Sequence, residues 1–144
     1  MKNLSKRSQV KSNKKKVWRI LNEAWKIQSL GLRKEGKCVG CGSKKNLVAG
    51  HLVHGGRGKA WNIVDFNVFI PCQNVFCQCS YCNTYDPDGN GKLRQYFNSI
   101  YDNSDILYDK LRELKQEIWK PDEETSKLIL LHTERKYIIQ EVPF

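Results

Sequence analysis

Two cysteine pairs, Cys38-Val39-Gly40-Cys41 and Cys79-Ser80-Tyr81-Cys82, constrain this 144-residue chain more than any other feature. In a Cys-x-x-Cys turn both sulfurs converge on one point while backbone N–H groups face the thiolates. The glycine that follows the first pair, Gly42, supplies the positive φ that such a turn often needs. Four thiolates close a tetrahedral shell around Zn²⁺, which is a structural arrangement and not a catalytic one. The stretch from Lys37 to about Ile100 contains all six cysteines and most of the glycines, with little apolar mass of its own. Such a stretch needs a staple, and a bound metal would contribute much of its folding free energy. Either Cys72 or Cys77 could displace a member of the second pair; the two-residue spacing selects Cys38, Cys41, Cys79 and Cys82 as the structural zinc ligands and leaves Cys72 as a buried thiol. A redox dithiol at Cys38 and Cys41 has the same spacing, but two pairs bracketing a turn-rich segment favour metal.

Charge is distributed as unevenly as cysteine. Residues 1–37 hold 12 Lys+Arg and 2 acids, residues 38–100 hold 6 and 3, and residues 101–144 hold 7 and 10, so the net charges are +10, +3 and −3. A lysine-rich start of that density suits phosphate neutralisation with counterion release, and it makes nucleic acid the expected partner, with Lys14, Lys15, Lys16 and Arg19 as DNA-binding candidates. No run approaches the ~18 apolar residues of a membrane span, and the start of the chain lacks the apolar segment of an export signal. Membrane insertion and secretion are therefore not expected, and reduced thiols fit a cytoplasmic protein.

The apolar periodicity divides the chain into three parts: a basic tail and helix over 1–36, a metal-stapled core over 37–100 and a helical extension over 101–144. Residues 1–12 read as disordered. A helix is expected from a cap at Ser12 or Asn13, with Val17, Leu21, Ala24 and Gln28 and the tryptophans Trp18 and Trp25 on one stripe, stopping at Gly31. A second helical pattern runs from Ser104 through Ile106, Leu107, Leu111, Leu114 and Ile118 to a break at Pro121. Asp122 opens a third, through Leu128, Ile129 and Leu131 to about Lys136, followed by a terminal strand over 137–142. His132 on this helix reads as structural. The run Asp86-Pro87-Asp88-Gly89-Asn90-Gly91 starts like a calcium loop, but Phe97 stands where the bidentate glutamate is required, so it reads as a turn before a helix starting near Lys92.

Between the cysteine pairs lie Ala49-Gly50-His51, Gly55-Gly56-Arg57-Gly58 and Asp65-Phe66-Asn67-Val68-Phe69-Ile70-Pro71-Cys72, and Asn83 follows the second pair at once. In order and spacing these motifs resemble the HNH nuclease superfamily, and with Gly89-Asn90 and Tyr96 they look most like its NinG-type branch of bacteriophage recombination proteins. The resemblance covers about residues 38–97. It implies an α+β fold with a zinc-stapled ββα-metal core, treble-clef-like, in which a hairpin and a helix surround a divalent cation, Mg²⁺ or Mn²⁺.

The implied chemistry is phosphodiester hydrolysis in branched DNA such as Holliday junctions or D-loops, in the cytoplasm of a bacterial host. By the match His51 is the proton acceptor, Asn67 the asparagine that holds the hairpin loop, and Asn83 the replacement for the last histidine as metal ligand, with Asn90 as a second candidate. Where many members have an aspartate before the first histidine this chain has Gly50, so His54, Asp86 or Asp88 would complete the ligand set. Arg57 among glycines suits close approach to phosphate. A homodimer built on the C-terminal helices would present two sites to opposite strands. The reading from another class is a non-catalytic zinc-finger adaptor that binds nucleic acid through its basic start.

Overall fold

The computed structural model describes residues 6–53, 72–86, 91–116 and 121–138. Its elements run α1 (Lys6–Arg33), β1 (Leu47–His51), β2 (Val75–Cys79), α2 (Ser80–Tyr85), α3 (Lys92–Ile100), α4 (Ser104–Gln116) and α5 (Glu123–Tyr137). The fold is helix-rich α+β, with one two-stranded antiparallel sheet in which Leu47 faces Cys79 and His51 faces Val75. No described helix is long and apolar enough to cross a membrane.

Helix α1 departs from expectation at both ends. It starts at Lys6, so residues 6–12 are helical and not disordered, and Ser12 and Asn13 lie inside the helix instead of capping it. Lys, Arg and Gln are good helix formers, and extending a helix that packing has already nucleated needs no new nucleus. At the other end Gly31 does not stop the helix. Its bare Cα is required by packing, because a methyl there would overlap the Tyr137 ring of α5. The true stop is Gly36, at φ +83°, where tightened bonds from Glu35 N–H to Leu32 O (3.1 Å) and from Gly36 N–H to Arg33 O (3.2 Å) close the last turn.

The expected stripe of α1 is the buried one. Leu21 and Ala24 enter the main apolar cluster with Phe76 of β2, Leu93 and Phe97 of α3, Leu107, Tyr108 and Leu111 of α4, and Ile129 of α5. A second, smaller cluster sets Leu32 against Val75 and Cys77, flanked by Trp25, Leu47, Ala49 and Tyr137. Alternation along β2 sends Val75 and Cys77 to α1 and Phe76 to α3, where its ring meets Phe97 edge-on (6.4 Å, 90°). Both faces of β2 are covered, and all five of its residues are buried.

The later helices begin where the sequence places them, but their faces differ. Asp122 caps α5, its carboxylate accepting the Thr125 N–H at 2.7 Å, and this bond holds its pKa below the ordinary value. Leu107 and Leu111 of α4 are buried, whereas Ile106 is exposed, since one residue along a helix is about 100° of rotation. In α5 the leucines Leu128 and Leu131 are exposed, and the buried residues are Ser126, Ile129 and Thr133. Small side chains let α1 come close, and the two hydroxyls satisfy themselves within the helix, Ser126 on Asp122 O (2.8 Å) and Thr133 on Ile129 O (2.7 Å). The terminal strand does not begin at Tyr137, which ends α5, and Ile138 keeps helical angles with its N–H on Glu134 O. Ile118 and residues 139–142 lie outside the described residues.

Candidate metal centre

Local chemistry shapes the first cysteine turn. Cys38 N–H bonds to Ser43 O (2.8 Å), Gly42 N–H returns to Cys38 O (2.9 Å), and Gly42 takes φ +77°. Gly40 sits over the thiols, where a Cβ would lie 3.7 Å from Cys38 Sγ and 3.8 Å from Cys82 Sγ. Two backbone bonds hook this turn to the sheet and helix, Val39 N–H to Cys77 O (2.9 Å) and Ser80 N–H to Asn46 O (2.8 Å). The second pair straddles the start of α2, with Cys79 as its N-cap and the Cys82 N–H directed at Cys79 Sγ (3.4 Å).

These constraints bring the sulfurs of Cys38, Cys41, Cys79 and Cys82 within 4.8 Å of one another, and no other such cluster of three or more His, Cys, Asp or Glu groups occurs among the described residues. Tetrahedral Zn–S bonds of ~2.3 Å place sulfurs about 3.8 Å apart, and Cys41 Sγ lies 3.6 Å from Cys79 Sγ. The donor set therefore fits a metal such as zinc. Burial works against ionising Cys38, but backbone hydrogen bonds from Cys41, Cys79 and Gly40 and the Cys41 thiol outweigh it and lower its pKa to about 7. Cys82 goes the other way, because burial and hydrogen bonds among the neighbouring thiols all favour its protonated form.

Cys72 and Cys77 are not part of this cluster. Cys72 is buried in the main apolar cluster, as the spacing argument expects, and Cys77 lies in the smaller one. Burial raises the Cys77 thiol, and the nearby Glu35 carboxylate raises it further. All six cysteines are thiols.

Next to the thiols is a corner formed by β1, β2 and α2. His51 closes β1, half-buried, with its imidazole stacked on the Trp25 indole (centroids 5.4 Å apart, planes 9° apart). Strand alternation puts Gly50 on the opposite face, toward α2. A side chain at Gly50 would overlap the Gln78 amide oxygen, and its Cβ would stand 2.8 Å from Asn83 Oδ1. Two amide oxygens thus converge on the space in front of Gly50. Leu52 and Val53, just after β1, are tied to Asn74, fully buried, which accepts from Val53 N–H (3.0 Å), donates to Val53 O (3.3 Å) and offers its own carbonyl to Leu52 N–H (2.8 Å).

Of the other expected residues, Lys14, Lys15, Lys16 and Arg19 are exposed on α1. Residues 13–16 are four consecutive exposed positions and so cover every side of one turn, which stands clear of the core. Asp86 turns its two carboxylate oxygens to the backbone of α3, accepting Lys92 N–H (2.8 Å) and Leu93 N–H (3.0 Å) and capping that helix. His54, Arg57, Asn67, Asp88 and Asn90 lie outside the described residues. Trp25 as the partner of His51, Gln78 as the group facing Gly50, and Asn74 as the tie to Val53 were not legible in the sequence. Only Asn74 carried a local signal, an asparagine directly before a strand. Comparison with protein-family models, with curated proteins and with solved structures found no match to this chain.

Proposed function

We propose that this chain is a zinc-stapled, metal-dependent DNA endonuclease of HNH type that acts on branched recombination intermediates. The observation that carries the reading is the end of β1: His51 closes the strand on its α1 face, and on the opposite face the Asn83 oxygen of α2 reaches Gly50, the residue before that histidine. Asn74, a different asparagine from the Asn67 to which the resemblance gives the loop-holding task, ties Val53 after β1 to the start of β2. The four cysteines, with zinc as their metal, fasten the first turn to the start of α2 and so hold hairpin and helix together.

In this reading His51 accepts the proton of a water molecule whose oxygen attacks phosphorus, and the bond from phosphorus to the leaving oxygen breaks. Trp25 stacks face to face on the imidazole, which fixes the plane of the ring. A divalent cation, Mg²⁺ or Mn²⁺, supplies charge stabilisation at the phosphate when bound. Asn83 would hold it, with Asn90 and His54 as the sequence suggests, and Gln78 would offer a hard oxygen in place of the missing aspartate. Lys14, Lys15, Lys16 and Arg19 grip the DNA backbone, which makes binding salt-dependent.

A second reading, a non-catalytic nucleic-acid-binding adaptor, draws on one specific feature: the corner in front of Gly50 has neutral amides where a carboxylate would hold the cation. Cleavage of end-labelled four-way junction, nicked and linear duplex DNA in Mg²⁺, Mn²⁺ or EDTA separates the two. The endonuclease predicts metal-dependent scission that prefers the junction and is lost in His51→Ala with binding retained. Binding without scission on every substrate would establish the adaptor instead.

A further inference from the structure

Helix α2 has two functions on its two sides. Cys82 and Asn83 face inward, while Tyr81 and Tyr85, one turn apart, are 71% and 69% exposed with ring centroids 4.9 Å apart. Large aromatic rings left this open gain nothing for the core, and a tyrosine pair at i and i+4 lines one helix face.

The surroundings are positive. Asn46 O accepts the Ser80 N–H, which brings the exposed Lys44 and Lys45 to the start of α2, and the exposed Lys92 approaches the first cysteine turn, its Cβ 3.2 Å from where a Cβ on Gly40 would be. The acid at the end of α2, Asp86, turns both of its oxygens to the backbone of α3. Exposed π-faces rimmed by lysines, on a chain of net charge +10, complement one chemistry above others: bases to stack on and phosphates to neutralise.

We infer that Tyr81 and Tyr85 form a stacking platform for unpaired nucleotides of a nucleic acid, with Lys44 and Lys45 on the adjoining phosphates. The inference rests on the nucleic-acid reading above and adds to it the recognition of single-stranded character. Duplex DNA keeps its bases inside the stack and reaches the protein through its phosphates, so α1 serves duplex regions. The platform serves the frayed or unpaired nucleotides where a branch opens. Stacking on both rings is tolerant of sequence, because every base has a π-face.

The test is the equilibrium binding of fluorescein-labelled dT20 and of a 20-base-pair duplex to the full zinc-loaded chain. Binding is measured for the wild type, Tyr81→Ala/Tyr85→Ala, Tyr81→Phe/Tyr85→Phe and Lys44→Gln/Lys45→Gln. Both tyrosines are exposed, so helix content and zinc content stay at wild-type level. The alanine pair is expected to weaken dT20 binding by about 10-fold or more with duplex binding within about 2-fold of wild type, and the phenylalanine pair to keep dT20 binding. The glutamine pair flattens the dependence of log K on log salt for dT20 by about 1.4, at ~0.7 per phosphate. Unchanged dT20 binding in the alanine pair, or an equal loss in the phenylalanine pair, overturns the platform while leaving the nucleic-acid reading intact. A wild-type chain that binds neither probe overturns both.

Discussion

The four-cysteine corner and the α1–α5 interface hold their parts together by opposite means. At the corner, among the described residues, three buried cysteines have Leu47 as their only apolar neighbour in the cluster, and order comes from turn geometry, backbone bonds and thiols that converge on one point. At the helix interface order comes from shape: Gly31 beneath Tyr137, and the small residues Ser126 and Thr133 of α5 buried among them. With a metal in the four-thiol site, the first kind of order would depend on that ligand and be lost all at once. The second is spread over many contacts and degrades by degrees.

The largest effect should come from breaking the corner. Cys79→Ser is expected to lose the bound zinc and several kcal/mol of stability, on the order of what structural zinc contributes in small domains, whereas Cys72→Ala keeps one zinc per chain. Metal analysis and thermal melting of the two variants check this, and equal zinc loss in both would erase the distinction between the two cysteine classes. Phe97→Ala, at the centre of the apolar cluster, is expected to cost about 3–5 kcal/mol in denaturant unfolding with zinc content unchanged.

Smaller effects sharpen the comparison at the helix interface. Gly31→Ala pushes a methyl into the Tyr137 ring and should cost about 1–3 kcal/mol, a loss partly recovered in the double variant with Tyr137→Ala. Gln28 is fully buried in α1, and among the described residues neither its amide oxygen nor its amide nitrogen meets a hydrogen-bond partner. Gln28→Met should therefore stabilise the chain by about 1 kcal/mol; a loss of stability would mean that the amide has work to do. The smallest effect is that of Asp122. Its folded pKa is depressed, so its capping contribution is present above the carboxylate's unfolded pKa and lost as pH falls through the folded one. Asp122→Asn should narrow the stability difference between pH 6 and pH 3, read from melting temperatures at the two values.

Much of the candidate site was legible because its signals are local. Two-residue cysteine spacing, Gly42 after the first pair and the start of α3 at Lys92 each depend on a few consecutive residues, and each stands where the sequence placed it. The same holds for Asp122 as a helix cap. Helix faces were less legible. Hydropathy selected Leu128 and Leu131 in α5, but close approach to α1 selected Ser126 and Thr133, and a count of apolar residues does not register the distance between two helix axes. Gly31 was misread for a related reason, since a glycine that ends a helix and one that admits a neighbour look the same in one dimension.

By itself the sequence singled out the two Cys-x-x-Cys pairs whose sulfurs converge and read Cys72 as a buried thiol, because sulfur chemistry and turn geometry act over four residues; the place of Cys77 in the apolar interior came only from the fold. The sequence also determined where α3, α4 and α5 begin, through capping and apolar periodicity. Only the tertiary structure decided that Trp25 lies on His51, that Gln78 and Asn83 face Gly50, and that Asn74 ties Val53. Those pairings join residues 21 to 33 positions apart, and which side chains meet across such a span is set by how the elements pack, not by any preference of the residues themselves.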